Sequence, residues 1–243
     1  IDASYGLELG DKGGFINFSG SLGTRNPALR NATNLEKLFD INNSAERAYL
    51  SANPNGNIAD MTAADYTNSI ASLPQTFIDA ADQDYNVLDN LELNARGQTR
   101  ADYRFKVGTS KLREGKAFMN MEIPLSDNTA VYAFGGVGNR RGLAFGFLRE
   151  PHRPKSNTAA NPNGFLPGIQ SDVDDKSIAF GVRGEKNGWD VDFSNTTGQN
   201  SFAFTVVEST NASLGAASTS VFEAGGFRFR QNTTNLDFSK RHE

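Results

Sequence analysis

The stretch "YAFGGVGNRRGLAFGFLR", residues 132–149, admits two incompatible structures. Its glycines could form the tight turn of a nucleotide-binding loop, or they could lie in the wall of a β-sheet. The dinucleotide fingerprint needs Gly-x-Gly-x-x-Gly between a strand and a helix whose N-terminus holds the pyrophosphate. Here Gly136 and Gly138 are followed by Asn139, Arg140, Arg141 and Gly142, so the third glycine comes one place late. Beyond it, Leu143, Phe145 and Phe147 alternate with Ala144, Gly146 and Leu148, a period of two that belongs to a strand. The stretch therefore reads as a strand whose glycines relieve crowding in a curved wall.

The same period recurs along the chain. Ile1, Ala3, Tyr5, Leu7 and Leu9 alternate with Asp2, Ser4, Gly6, Glu8 and Gly10; "DKGG" then turns the chain into Ile16, Phe18, Gly20 and Leu22. A second hairpin runs from Ala117, Met119, Met121, Ile123 and Leu125 through "SDN" to Tyr132 and Phe134. A third sets Ile178, Phe180 and Val182 before "EKNG" and Trp189, Val191 and Phe193 after it, with Asp190, Asp192 and Ser194 on the other face. Near the end, Phe227 and Phe229 alternate with Arg228 and Arg230, and Leu236 and Phe238 with Asn235, Asp237 and Ser239. About seven strands are expected.

Connections alternate between a few residues and long polar links at about 25–112, 150–175 and 207–220. Antiparallel strands place every second connection at the same end, so one end is tight and the other elaborate. Transmembrane β-barrels have this asymmetry. The longest link, 25–112, is expected to be a partly helical extracellular insertion. Thr33 with Glu36 reads as a capping box before "LEKLFDI", Thr62 as a cap for "AADYTNSIASL", and "TFIDAADQDYNVLDNLEL" as helical.

Composition narrows function. The 243 residues contain no Cys and two His, His152 and His242, which removes disulfides, thiolate metal sites and Cys nucleophiles and leaves little for a His-based triad. A formal charge of −4 argues against nucleic acid as a partner. With 37% hydrophobic residues and a mean hydropathy of −0.49, the chain offers no apolar run long enough for a spanning helix. Its opening "IDASYG" has no signal-peptide pattern and starts in mid-alternation, so a cut inside a longer protein is expected.

No motif stands out as catalytic or metal-binding, and no cofactor is expected. Asp172, Asp174 and Asp175 in "SDVDD" are oxygen-rich as calcium loops are, but the EF-hand glycine and Glu are missing, and a solvated acidic loop is the simpler reading. Asp190 and Asp192 share a face with Ser194 and Thr196 and read as lining of a wet lumen. Arg183, Arg228 and Arg230 either form a basic rim for an anionic ligand or balance lumenal carboxylates. Trp189, Tyr132 and Phe15 stand near strand ends, as an interfacial girdle would. The sequons at Asn31 and Asn211 matter only in a eukaryotic secretory route.

From "YAFGGVGNRRGLAFGFLREP" onward, the phrases "YAFGG", "NGFLP", "GW-D-D-S", "NASLG" and "AGG" in this order resemble the barrel region of TonB-dependent outer-membrane receptors, over about residues 116–241. The resemblance implies an all-β antiparallel transmembrane β-barrel segment: about seven strands of a 22-stranded barrel in the bacterial outer membrane. All of 1–243 would belong to one barrel domain, and the N-terminal plug and TonB box are not matched in this chain. It implies energy-coupled import of a scarce nutrient ligand, with outer-membrane lipid, the TonB complex and, in some receptors, a surface lipoprotein as partners. Ligand would be caught by the long links and pass a polar wall including Asp190, Asp192, Arg228 and Arg230. Leu7, Leu9, Phe18, Met121, Ile123, Phe180, Val191 and Phe229 would face lipid. No individual ligand-binding residue is assigned. A passive porin and a soluble β-rich binding or adhesion protein are the competing functions; an enzyme comes last.

Overall fold

A computed structural model describes residues 1–81, 84–156 and 160–240; His242 lies outside them. Strands β1 (Asp2–Leu9) and β2 (Gly14–Arg25) form the first hairpin. After β2 comes the insertion. It opens with the two-residue strand β3 (Ala28–Leu29) and continues through helices α1 (Ile41–Ala52), α2 (Ala63–Ala71), α3 (Gln75–Ala81) and α4 (Tyr85–Arg96). The two-residue strand β4 (Gly108–Thr109) closes it. The long strands β5 (Lys111–Ser126), β6 (Thr129–Phe145), β7 (Gly168–Lys186), β8 (Trp189–Val207) and β9 (Phe222–Ser239) follow. One antiparallel sheet runs β1-β2-β5-β6-β7-β8-β9, so each long strand pairs with the next along the chain, and β3 pairs with β4. The sheet is open, with β1 and β9 as its edges.

The tight turns have a local cause. Asn187 (φ 56°) and Gly188 (φ 74°) both take positive φ, the requirement of the two-residue turn whose twist matches a hairpin. In the first hairpin the loop has four residues, 10–13, and the glycines at its two ends, Gly10 and Gly13, also take positive φ. By contrast, Gly135, Gly136 and Gly138 lie inside β6 without positive φ, so the opening stretch is strand and not a phosphate loop.

Two expectations are corrected. "SDVDD" belongs to β7, which begins at Gly168, so the link before it spans 146–167. Its acids are accommodated by neighbours in the sheet: Asn139 donates to Asp174 (2.7 Å), Arg141 to Asp172 and Asn200 to Asp175 (2.6 Å). The capping box at Thr33 and Glu36 does not form. Residues 33–40 are not helical, because the backbone N–H groups of Leu38 and Phe39 donate to the buried carboxylate of Asp89. The box forms instead between Asp40 and Asn43 at the start of α1, while Thr62 does cap α2, with Asp65.

The insertion has its own core. Leu38, Phe39, Leu93 and Tyr103 pack with Leu148 of the 146–167 link, so the two links cohere at one end of the sheet. Beside it, the fully buried Glu92 accepts from Ser44 (2.7 Å), Arg47 (2.9 Å) and Arg96 (2.7 Å), and Asp89 from Arg100 (2.8 Å). Burial pushes the Glu92 carboxyl up, but bonds from Arg47 and Ser44 and the charge of Arg96 outweigh it and hold its pKa below the ordinary glutamate value. A carboxyl with a lowered folded-state pKa contributes stability that is full above its unfolded value and lost as pH falls through the folded one. Acid below pH 4.5, the ordinary value, should therefore loosen the insertion, and Glu92→Gln should remove that part of the dependence. Amide hydrogen exchange in α1 and α4 against pH reads it.

Candidate functional site

Register sorts the sheet into two unlike faces. One row of direct partners crosses all seven long strands as Leu7, Ile16, Met121, Ala133, Phe180, Asn195 and Thr234. The next is Tyr5, Phe18, Met119, Gly135, Ile178, Thr197 and Asn232. Nearer the tight turns lie Ile123, Val131, Val182, Phe193 and Leu236. This apolar face exposes Tyr5, Phe18, Ile178, Phe180, Val182, Phe193 and Leu236 among others, a contiguous patch of the kind that marks an interaction surface. In β8 and β9 it is interrupted by Asn195, Thr197, Asn232 and Thr234, which hydrogen-bond one another.

The opposite face is polar near the tight turns. Asp190, Asp192, Ser194 and Thr196 lie there as the sequence suggests, with Glu122, Tyr132, Arg183 and Asp237. Tyr132 donates to Asp192 (2.8 Å) and Arg183 to Glu122, in each case reaching past the intervening strand. Strand-skipping contacts need side chains that converge, as they do on the concave side of a coiled sheet. Gly181 makes the first one possible, since a Cβ there would sit 2.5 Å from the Tyr132 ring. Gly181→Val should displace Tyr132 and cost about 1–3 kcal/mol. Adding Tyr132→Ala should recover most of that loss in a denaturation series.

Further along this face Gly136, Ser177 and Gly198 are direct neighbours across β6, β7 and β8. The missing side chains of the two glycines and the small one of Ser177 leave a trough of about 540 Å³ between Phe118 and Phe229, edged by Lys116, Arg140, Asn200 and Gln231. Phe202 stacks on Phe227 (5.4 Å) and meets Phe204 edge-on (4.3 Å) beside it. At the loop end, a polar cavity of about 690 Å³ lies between α1, the 146–167 link and the 208–221 link, lined by Asn42, Glu46, His152, Arg153 and Leu214.

Several sequence expectations change here. Phe229 is not on the apolar face: β9 runs unbroken from Gly226 to Ser239 in register with β8, so Leu236, nine positions after Phe227, faces the opposite way, and Phe229, on the face of Phe227, lines the polar trough. For the same reason Arg228 and Arg230 share the apolar side with Leu236 and Phe238, and are not in one wall with Asp190 and Asp192; nor does Arg183 join them. Asp175 points to the opposite face from Asp172 and Asp174, so "SDVDD" does not converge. Of the suggested aromatic girdle, Trp189 stands on the apolar face, and Phe15 and Tyr132 on the polar one. The trough escaped sequence reasoning because its glycines come from different strands and meet only through register.

The fold and surfaces define an antiparallel β-meander with one apolar and one polar face, tight turns at one end and folded loops at the other. Comparison with family models, curated proteins and solved structures finds no match to this chain. Among the described residues no helix is long and apolar enough to cross a membrane, which says nothing of strands.

Proposed function

We propose that this chain is part of the wall of an outer-membrane β-barrel of the TonB-dependent receptor type, serving ligand-specific import. The observation that carries the reading is the exposed apolar face, continuous across β1, β2, β5, β6 and β7 and backed by a polar face with strand-skipping contacts. In a soluble sheet such a face needs a packed partner, whereas lipid supplies one directly. The open edges β1 and β9 would pair with further strands, since unpaired backbone groups are not tolerated in hydrocarbon. Ligand would meet the loop-end cavity first and then the trough between Phe118 and Phe229. Energy coupling rests on the sequence resemblance and requires a plug and the TonB complex.

The test is protease treatment of intact cells carrying the full-length protein, with fractionation. The expected result is cleavage within 26–110, protection of the turn at Asn187–Gly188, and recovery of the protein in outer membranes. A soluble protein cleaved only after lysis overturns the membrane reading. Steady conductance in planar bilayers without ligand or energy source would favour the passive pore.

A further inference from the structure

On the apolar face, a groove of about 510 Å³ has Phe18, Met119, Gly135 and Ile178 along it and Lys176 and Arg230 at its upper margin. Its place in the sheet is set by register. The row above the two apolar ones reads Val137, Lys176, Gln199 and Arg230; the next brings Arg228, and the one after sets Arg113 directly opposite Arg141. Like charges directly opposite each other destabilise a strand pair; Asp172, the partner of Arg141 on its other side, answers that row from within the sheet. Of the acids on this side, Asp174 is engaged by Asn139 and Asp172 by Arg141 and Gln170, while Glu223 lies further toward the loops, on the row of Gln170 and Thr205. Among the described residues Lys176 and Arg228 have no hydrogen-bond or ion-pair partner, and Arg230 only donates to the neutral Gln199 (2.9 Å).

We propose that this groove holds a membrane phospholipid of net negative charge, its headgroup at Lys176, Arg230 and Arg228 and an acyl chain along Phe18, Met119 and Ile178. The inference rests on the membrane reading given above. Charge and apolarity are ordered as in such a lipid: cations at one end, hydrocarbon contacts at the other. From Lys176 to Val182 is six residues of β7, about 20 Å at roughly 3.3 Å per residue. At the tilt of about 35–45° that barrel strands adopt, this projects to about 15 Å, one leaflet of a hydrocarbon core roughly 30 Å thick. The polar quartet Asn195, Thr197, Asn232 and Thr234 alongside is satisfied internally and does not compete for the headgroup. Lys and Arg near an anionic membrane surface gain attraction from each added charge.

Native mass spectrometry of the full-length, membrane-extracted protein in neutral detergent tests this, with phosphatidylglycerol and phosphatidylcholine of identical chains as probes. Wild type should retain phosphatidylglycerol at least about fivefold over phosphatidylcholine. Lys176→Gln with Arg230→Gln should bring the ratio to near one, and Lys155→Gln in the loop should leave it unchanged. Both substituted side chains are exposed, and unchanged circular dichroism verifies the fold. Equal retention of the two lipids, an unchanged ratio in the double variant, displacement by inorganic phosphate alone, or a dimer mass in place of lipid adducts each overturns the proposal. Insertion into vesicles is measured in parallel: a protein that inserts but shows no headgroup preference refutes the lipid site alone, and one that does not insert refutes the membrane reading with it.

Discussion

Replacing Glu92 by alanine should destabilise the helical insertion by about 3–5 kcal/mol, the usual consequence of removing one partner from a buried ion pair. The carboxylate is fully buried and receives Ser44, Arg47 and Arg96; Arg96 is itself almost buried, its side chain 6% exposed. Its removal leaves the Arg96 charge with the ring of Phe39 (4.4 Å) and the acceptors of Pro162 and Asn163 as its remaining neighbours. None of these neutralises it. The expected signature is selective: α1 and α4 lose amide protection while β5 to β8, which meet the insertion only at one end, keep theirs. A loss below about 1 kcal/mol would mean that the network relaxes around the gap, as exposed pairs do. Glu92→Gln should fall between the two, because it keeps the acceptor for Ser44 and loses the charge.

The second large effect separates two phenylalanines that solvent exposure cannot. Phe180 and Phe229 are 57% and 60% exposed, yet register puts them on opposite faces of the sheet. If the apolar face meets lipid, Phe180→Arg should cost about 2–4 kcal/mol near the midplane. Phe229→Arg, in the polar trough, should cost little. Denaturant titration of the full-length protein folded into vesicles measures both. Equal costs would remove the distinction between the faces on which the proposed function depends; a larger cost at Phe229 would invert it.

What the sequence disclosed follows from the range of the interactions involved. Alternation along β1, β2, β5 and β8 is legible because facing depends only on a residue and its neighbours. The Asn187–Gly188 turn is legible because positive φ is a local demand. Residues 168–175 were hidden because a strand flanked on both sides can carry acids on either face when its neighbours answer them, and that answer comes from Asn139, Arg141 and Asn200 on other strands. Phe229 was misassigned because its local alternation was right but its phase relative to Leu236 depends on whether the strand is continuous between them. Asp89 reaches Leu38 and Phe39 across about half the insertion, which no spacing rule anticipates. The candidate trough is legible least of all, since Gly136, Ser177 and Gly198 become neighbours only after three strands have aligned.

The small β3–β4 ladder bears on how the molecule assembles. Pairing of β2 with β5 is the sheet's one contact between strands far apart along the chain, and all its other hairpins are sequence neighbours joined by shorter links. Bringing distant ends together costs configurational freedom that grows with the logarithm of the intervening length, about 0.6 kcal/mol for each doubling. Ala28 pairs with Thr109 immediately beyond the last β2–β5 partners, Arg25 and Leu112. An insertion that folds first and closes this ladder would present the two strand ends already side by side, so that the sheet meets a long excursion as though it were a short turn.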